Sequence, residues 1–183
     1  MRIIAGAWRG RLLAAPKGVA TRPTAERTRQ ALFDMLAHAP WSDRPLFEDA
    51  TILDAFAGTG ALGLEALSRG ATKATFLEND RAALASLHAN IAACKANAEV
   101  IARDVLTPPS GNRCDLVFLD PPYGKDLGPR AIASLTTSGW IGPGTVIVLE
   151  TSAAEKIDIQ ATLRAERTHG AARVTIWQMP ASG

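Results

Sequence analysis

Ile52-Leu53-Asp54-Ala55-Phe56-Ala57-Gly58-Thr59-Gly60-Ala61-Leu62-Gly63 runs from an apolar stretch through a glycine-rich turn into a helical pattern. The stretch predicts a buried strand, and the G-x-G-x-x-G spacing predicts a tight turn whose backbone comes close to a ligand. On its own this is the fingerprint of a dinucleotide site, with Glu78, twenty residues after Gly58, placed to hold ribose hydroxyls. Asp54 tilts the reading. It stands four residues before the first glycine, at the strand's carboxyl end, where it would repel a pyrophosphate. The ammonium and sulfonium of S-adenosylmethionine would instead be favoured there. The plainer roles are a cap on the turn or helix for Asp54 and a solvated strand end for Glu78.

Outward from this turn, strands alternate with helices. Strands are predicted over Thr51 to Phe56, Thr72 to Glu78, Glu99 to Arg103, Asp115 to Leu119 and Thr145 to Glu150. Helices are predicted over Ala61 to Arg69, Arg81 to Asn97 and roughly Pro129 to Ser138. Leu163 to His169 and Arg173 to Met179 flank Gly170 and read as an antiparallel pair at one edge. The fold class is therefore α/β, with a doubly wound, mostly parallel seven-stranded sheet. Ahead of it, Met1 to Ala7 and Arg11 to Ala15 flank Trp8-Arg9-Gly10 and predict a small hairpin that exposes Trp8, Arg9 and Arg11. Thr24 is placed to cap a helix whose Leu32, Met35 and Leu36 share one face, with Arg27 on another. A Pro-containing linker near residues 40 to 45 separates an extension, 1–45, from the main domain, 46–183.

A chain of 183 residues with 47% apolar content can bury a full core. No apolar run approaches the roughly 20 residues of a spanning helix, and Arg9 and Arg11 interrupt any N-terminal signal core, so a cytoplasmic monomer is expected. Cys94 and Cys114 lack metal-type spacing, and His38, His88 and His169 are isolated, so no metal site is expected. The net charge of +2 hides an asymmetry: the first 30 residues hold seven Lys or Arg against Glu26 alone. A basic arm on an otherwise mildly acidic body predicts contact with a polyanion.

Leu116-Val117-Phe118-Leu119 reads as a buried strand, and Asp120-Pro121-Pro122-Tyr123 follows it directly. Two prolines cannot continue a ladder, so the Asp120 carboxylate and the Pro121 carbonyl are held outward beside the chain's only tyrosine. Such a lip suits an exocyclic amine on a flat ring, with the oxygens accepting its hydrogens and Tyr123 stacking on the ring. The amine's lone pair is delocalised into the ring, and acceptors that draw it out of conjugation help it attack a methyl group. A carboxylate also favours guanine, whose N1–H and N2–H2 both donate from one edge. Asp104 ends the third predicted strand, where it could meet an adenine amine, its plainer role being a cap on the next turn.

With Asp54 and its glycine turn, Glu78, Asp104 and Asp-Pro-Pro-Tyr in this order, the chain resembles the class I S-adenosylmethionine-dependent methyltransferases. Arg2-Ile3-Ile4-Ala5-Gly6, Trp8-Arg9-Gly10-Arg11, Arg22-Pro23-Thr24 and Glu26-Arg27-Thr28-Arg29, with residues 60 to 71, narrow the likeness. These stretches resemble the bacterial 16S ribosomal RNA guanine-N2 methyltransferases of the RsmD type. The resemblance implies that Asp54, Phe56, Ala57, Gly58, Thr59, Gly60, Glu78, Asn79, Asp104 and Val105 bind the cofactor, and that Asp120, Pro121, Pro122 and Tyr123 face the target guanine. It further implies that Trp8, Arg9, Arg11, Arg22, Thr24 and Arg27 contact RNA within the small ribosomal subunit, although Arg22 or Arg27 could instead hold the cofactor's carboxylate. Ala5, where such openings commonly carry a second glycine, and the Pro-rich stretch after Asp104 depart from the pattern. The competing readings are an NAD-linked oxidoreductase, a DNA adenine or other amino methyltransferase, and a non-catalytic assembly factor.

Overall fold

A computed structural model describes residues 1–16, 23–122, 126–155 and 157–181, with side chains omitted at 23–25. The elements in chain order are α1 (Pro23–Ala37), β1 (Thr51–Asp54), α2 (Ala61–Ser68), β2 (Lys73–Leu77), α3 (Arg81–Cys94), β3 (Ala98–Ile101), β4 (Leu116–Leu119), α4 (Leu127–Thr137), β5 (Val146–Ser152), β6 (Thr162–His169) and β7 (Ala172–Gln178). They form one seven-stranded sheet in the order β3-β2-β1-β4-β5-β7-β6. The first five strands pair in parallel, and β7 runs antiparallel to both β5 and β6. The strand order reverses between β1 and β4, and it is outside the carboxyl ends at such a switch that open α/β sheets bind ligands.

The period-2 alternation of each strand builds two cores. Ile52, Phe76, Phe118 and Val148 face a layer formed by α1, α2 and α3, while Leu53, Leu77, Val117, Leu119, Ile147 and Leu149 face α4 and Trp140. Both faces are covered, which is why the central strands read as continuous apolar runs. The edge strand β6 instead carries Arg164, Glu166, Arg167 and His169, charged and polar side chains that discourage pairing with another chain. No helix among the described residues is long and apolar enough to cross a membrane.

The predicted N-terminal hairpin forms in shortened form, centred on an antiparallel bridge between Arg2 and Leu12. It is short because the donors nearer its tip go elsewhere. Ile4 and Ala5 N–H groups reach the Glu65 carboxylate at 2.8 and 3.0 Å, and those of Ala7 and Trp8 reach the Ser68 carbonyl and hydroxyl at 2.7 and 3.0 Å. The arm is both laddered on itself, with Ile3 N–H on the Arg11 carbonyl, Gly10 N–H on the Ile3 carbonyl and Leu13 N–H on the Met1 carbonyl, each at 2.9 Å, and docked on α2. Helix α1 starts at Pro23, so Thr24 lies inside its first turn rather than capping it. Phe33 of α1 meets Phe118 of β4 with ring centroids 5.8 Å apart, and Ile3 and Leu13 join the same core cluster.

Gly6 makes the closest contact of this docking. Its φ is +80°, and a Cβ there would fall 1.8 Å from the Ser68 carbonyl oxygen. Gly6→Ala is therefore expected to lift the arm from α2 and to lower stability by at least about 1 kcal/mol. Thermal unfolding together with limited proteolysis of the first 16 residues checks this, and an unchanged cleavage pattern would contradict it.

Candidate cofactor and base site

The turn after β1 is held from several sides. Ala55 N–H continues the ladder to Phe118 at 2.9 Å, Ala57 N–H reaches the Leu77 carbonyl at 3.1 Å, and Gly60 N–H closes back on Ala57 at 2.7 Å. Gly60 has φ +79° and opens α2 without a side-chain cap, and a Cβ there would lie 2.5 Å from Leu87. Glycine is required at this point by both the dihedral and the space.

Two carboxylates complete the turn. Asp54, the last residue of β1, is 1% exposed and its Oδ2 accepts the Gly63 N–H at 2.9 Å. Burial pushes its pKa up to about 8. The Gly63 N–H opposes this rise, and the Asp120 and Glu78 charges add to it. Half-buried Glu78 accepts three backbone donors: Gly58 N–H at 2.7 Å on Oε2, and Asn79 and Asp80 N–H groups, both at 2.8 Å, on Oε1. It is no mere solvated strand end, because it ties the loop after β2 to the loop after β1.

Strand β3 ends at Ile101, so Asp104 lies in the following turn rather than at the strand terminus. Exposed Asp104 accepts the Leu106 N–H at 2.9 Å, the capping arrangement that was its plainer reading. Buried Val105 is fixed by the Ser134 hydroxyl, which donates to its carbonyl at 2.7 Å. Phe56, Glu78, Asn79, Asp104 and Val105 gather round one open depression, together with Ala55, Leu77 and Arg103. Arg103 was not singled out from sequence, where nothing but its place beside Asp104 marked it. Ala57, Gly58, Thr59 and Gly60 form the adjoining turn outside that lining.

At the end of β4, Asp120 is reachable from solvent at the lip, with Pro121 buried behind it and Pro122 exposed. Protein packed around the carboxyl pushes its pKa up to about 7, and the Glu150 carboxylate adds to the rise. Leu119 is in register with Leu149, so Asp120 and Glu150 are the next residues along two paired strands. Glu150 was legible only as the end of a predicted strand. Tyr123 lies outside the described residues.

The basic arm is partly rearranged from expectation. Arg9 and Arg27 line one groove with Arg2, Ile3, Ile4, Gly10, Glu26 and Gln30. Arg2 was not foreseen there. The Arg11 guanidinium donates to the Ala93 carbonyl at the end of α3, and Trp8 packs half-buried against the core, so neither lines the groove. Arg22 and the side chain of Thr24 lie outside the described residues. The hairpin tip sits beside Ser68, a helix length of about 12 Å from the turn at Gly60.

A dinucleotide-binding sheet has six parallel strands in the order 3-2-1-4-5-6. Here a reversed β7 lies between β5 and the edge, and with the carboxylate-held turn this defines the class I methyltransferases. A relative from Escherichia coli, ribosomal RNA small subunit methyltransferase D, is 38% identical over 189 residues, covering 100% of this chain and 92% of its own. The Haemophilus influenzae protein of the same name is 37% identical over 187 residues, covering 97% of this chain and 93% of its own. A solved putative methyltransferase from Escherichia coli superposes with a TM-score of 0.85 at 38% identity, covering 100% of this chain and 99% of that one. A Thermus thermophilus 16S rRNA N2 G1207 methyltransferase, solved with AdoMet and guanosine, shares the fold at a TM-score of 0.65 and 20% identity, over 89% of this chain and 44% of that one. The family described as Conserved hypothetical protein 95 matches residues 1–178. The chain belongs to this family, that of the RsmD-type ribosomal RNA small subunit methyltransferases.

Asp54 carries a pH signature. An acid whose pKa rises from 3.8 to about 8 on folding holds an extra proton in the folded state, so its contribution falls away as pH climbs across that window. Asp54→Asn keeps an oxygen for the Gly63 N–H and removes the buried charge. Without ligand, the variant is expected to be the more stable of the two at pH 8.5 and to lose less stability between pH 5 and 8.5. Melting curves across that range check this, and identical slopes would contradict it.

Proposed function

We propose that this protein transfers the methyl group of S-adenosylmethionine to the exocyclic N2 amine of a guanine in 16S ribosomal RNA, within the assembled small subunit. The observation that carries the reading is Asp120, a solvent-reachable carboxyl at the end of β4, standing beside a glycine turn that buries Asp54. The donor set suits the cofactor. A buried carboxyl with a pKa of about 8 gains from a positive ligand nearby, and Glu78 and Asp104 offer acceptors on the cavity rim. Bound S-adenosylmethionine supplies a methyl on a positively charged sulfur.

The chain's own residues do the rest. Asp120, ionised, accepts from the guanine N1–H and N2–H edge, and the Pro121 carbonyl takes the second N2 hydrogen, drawing the lone pair out of the ring. Once the amine has gained the methyl group, the spare N2 proton would leave to Asp120 or water. Pro121 and Pro122 fix the lip so that this alignment is made before the reaction. Arg9 and Arg27, both exposed and facing one groove, hold RNA phosphates away from the reacting base. The base itself must be unpaired or flipped to enter.

The test is incubation with radiolabelled S-adenosylmethionine and small subunits from cells lacking the protein, with naked ribosomal RNA and DNA in parallel, followed by nucleoside identification. N2-methylguanosine from the subunits is expected, whereas label in DNA or on adenine would overturn the substrate. The kcat/KM for RNA is expected to rise as pH is raised through about 7 and then level, since Asp120 must lose its proton. Asp120→Asn should cost on the order of 10²-fold in kcat. Reversing charge at Arg9 and Arg27 should raise KM for RNA and shallow its salt dependence with kcat retained. An unaltered salt slope would remove the groove from the account.

A further inference from the structure

Asn90 sits in the middle of α3, 2% exposed, and its side chain is fully engaged. Its Nδ2 donates to the Ala14 carbonyl at 3.0 Å and to the Thr59 carbonyl at 2.9 Å, while its Oδ1 accepts the Ala14 N–H at 2.7 Å. The two bonds to Ala14 imitate a neighbouring strand residue. The third ends on the peptide between Gly58 and Gly60. Helix α3 has no need of this side chain: Asp80 caps it through the Ala83 N–H at 2.8 Å, and Leu87 and Cys94 supply its buried packing. A buried amide is costly unless every donor and acceptor is met, and here the partners that meet it belong to two separate elements.

The other struts of the turn come from the sheet ends. Asp54 holds Gly63, and Glu78 holds Gly58. Asn90 alone among these three side chains also grips the N-terminal arm, the segment whose far end carries Arg9. We infer that Asn90 is a positioning residue that fixes the RNA-contacting arm and the cofactor turn to each other, so that RNA on the arm and cofactor at the turn strengthen each other's binding. This rests on the function proposed above. Because coupling between two binding sites is reciprocal, either ligand can report it.

The probe is radiolabelled S-adenosylhomocysteine, its dissociation constant measured by equilibrium dialysis with and without saturating small ribosomal subunits. In the wild-type protein the subunits should tighten it about fivefold or more. Asn90→Ala should weaken binding to the free protein and abolish the tightening. Leu135→Ala, in the core on the opposite sheet face, should lower the melting temperature yet keep the tightening, which separates positioning from general destabilisation. A second measurement needs no variant: S-adenosylhomocysteine should slow hydrogen exchange at the Ala14 amide, which donates to Asn90. Tightening that persists in a folded Asn90→Ala protein, or an Ala14 amide indifferent to the ligand, would overturn the inference. If the wild-type protein binds no S-adenosylhomocysteine at all, the proposed function fails first.

Discussion

The architecture turns on four backbone N–H groups that end on two acidic side chains. Gly58, Asn79 and Asp80 donate to Glu78, and Gly63 donates to Asp54. Hydrogen bonds to charged acceptors contribute roughly 1.5–3 kcal/mol each, so the Glu78 set suffices to fix a loop that contains two glycines. With the loop fixed, α2 begins at a defined point and angle. With α2 placed, Glu65 and Ser68 one and two turns along it present the groups on which the N-terminal arm docks. The proposed cofactor turn and the distant basic groove therefore share one mechanical origin.

Glu65 deepens that dependence. It is fully buried, accepts two arm N–H groups and the Arg69 Nε at 2.7 Å, and faces the Arg29 guanidinium at 3.8 Å. Burial pulls the Arg29 pKa down, and the Glu65 charge opposes the fall. Arg69 in turn lies 4.8 Å over the Phe33 ring. Removing one member of such a group strands the others without water, so the network specifies where α1, α2 and the arm must sit even where its net stabilisation is small.

Much of this was legible in the chain. The alternation from Thr51 onward, the reversed final pair and the order Asp54, glycine turn, Glu78, Asp120 follow from period-2 and period-3.6 patterns and from proline chemistry, all local signals. What stayed hidden is what depends on contacts distant in sequence. Glu65 reads as an ordinary helix residue until Ile4 and Ala5, about 60 positions away, are seen to need an acceptor. Asn90 reads as surface until Ala14 and Thr59 meet over it. The hairpin reads longer in the sequence than it is, because nothing local says that the Ile4, Ala5, Ala7 and Trp8 donors turn to α2. Asp104 reads as a strand end although β3 stops at Ile101, because an apolar run says little about its last residue.

The central claim is that the turn after β1 is built for a positively charged ligand. Carbon-13 NMR titration of the Asp54 carboxyl, with and without saturating S-adenosylmethionine, addresses it directly. A midpoint near 8 is expected in the free protein, with a fall well below that when the ligand is bound. A midpoint unmoved by a ligand shown to be bound would contradict it.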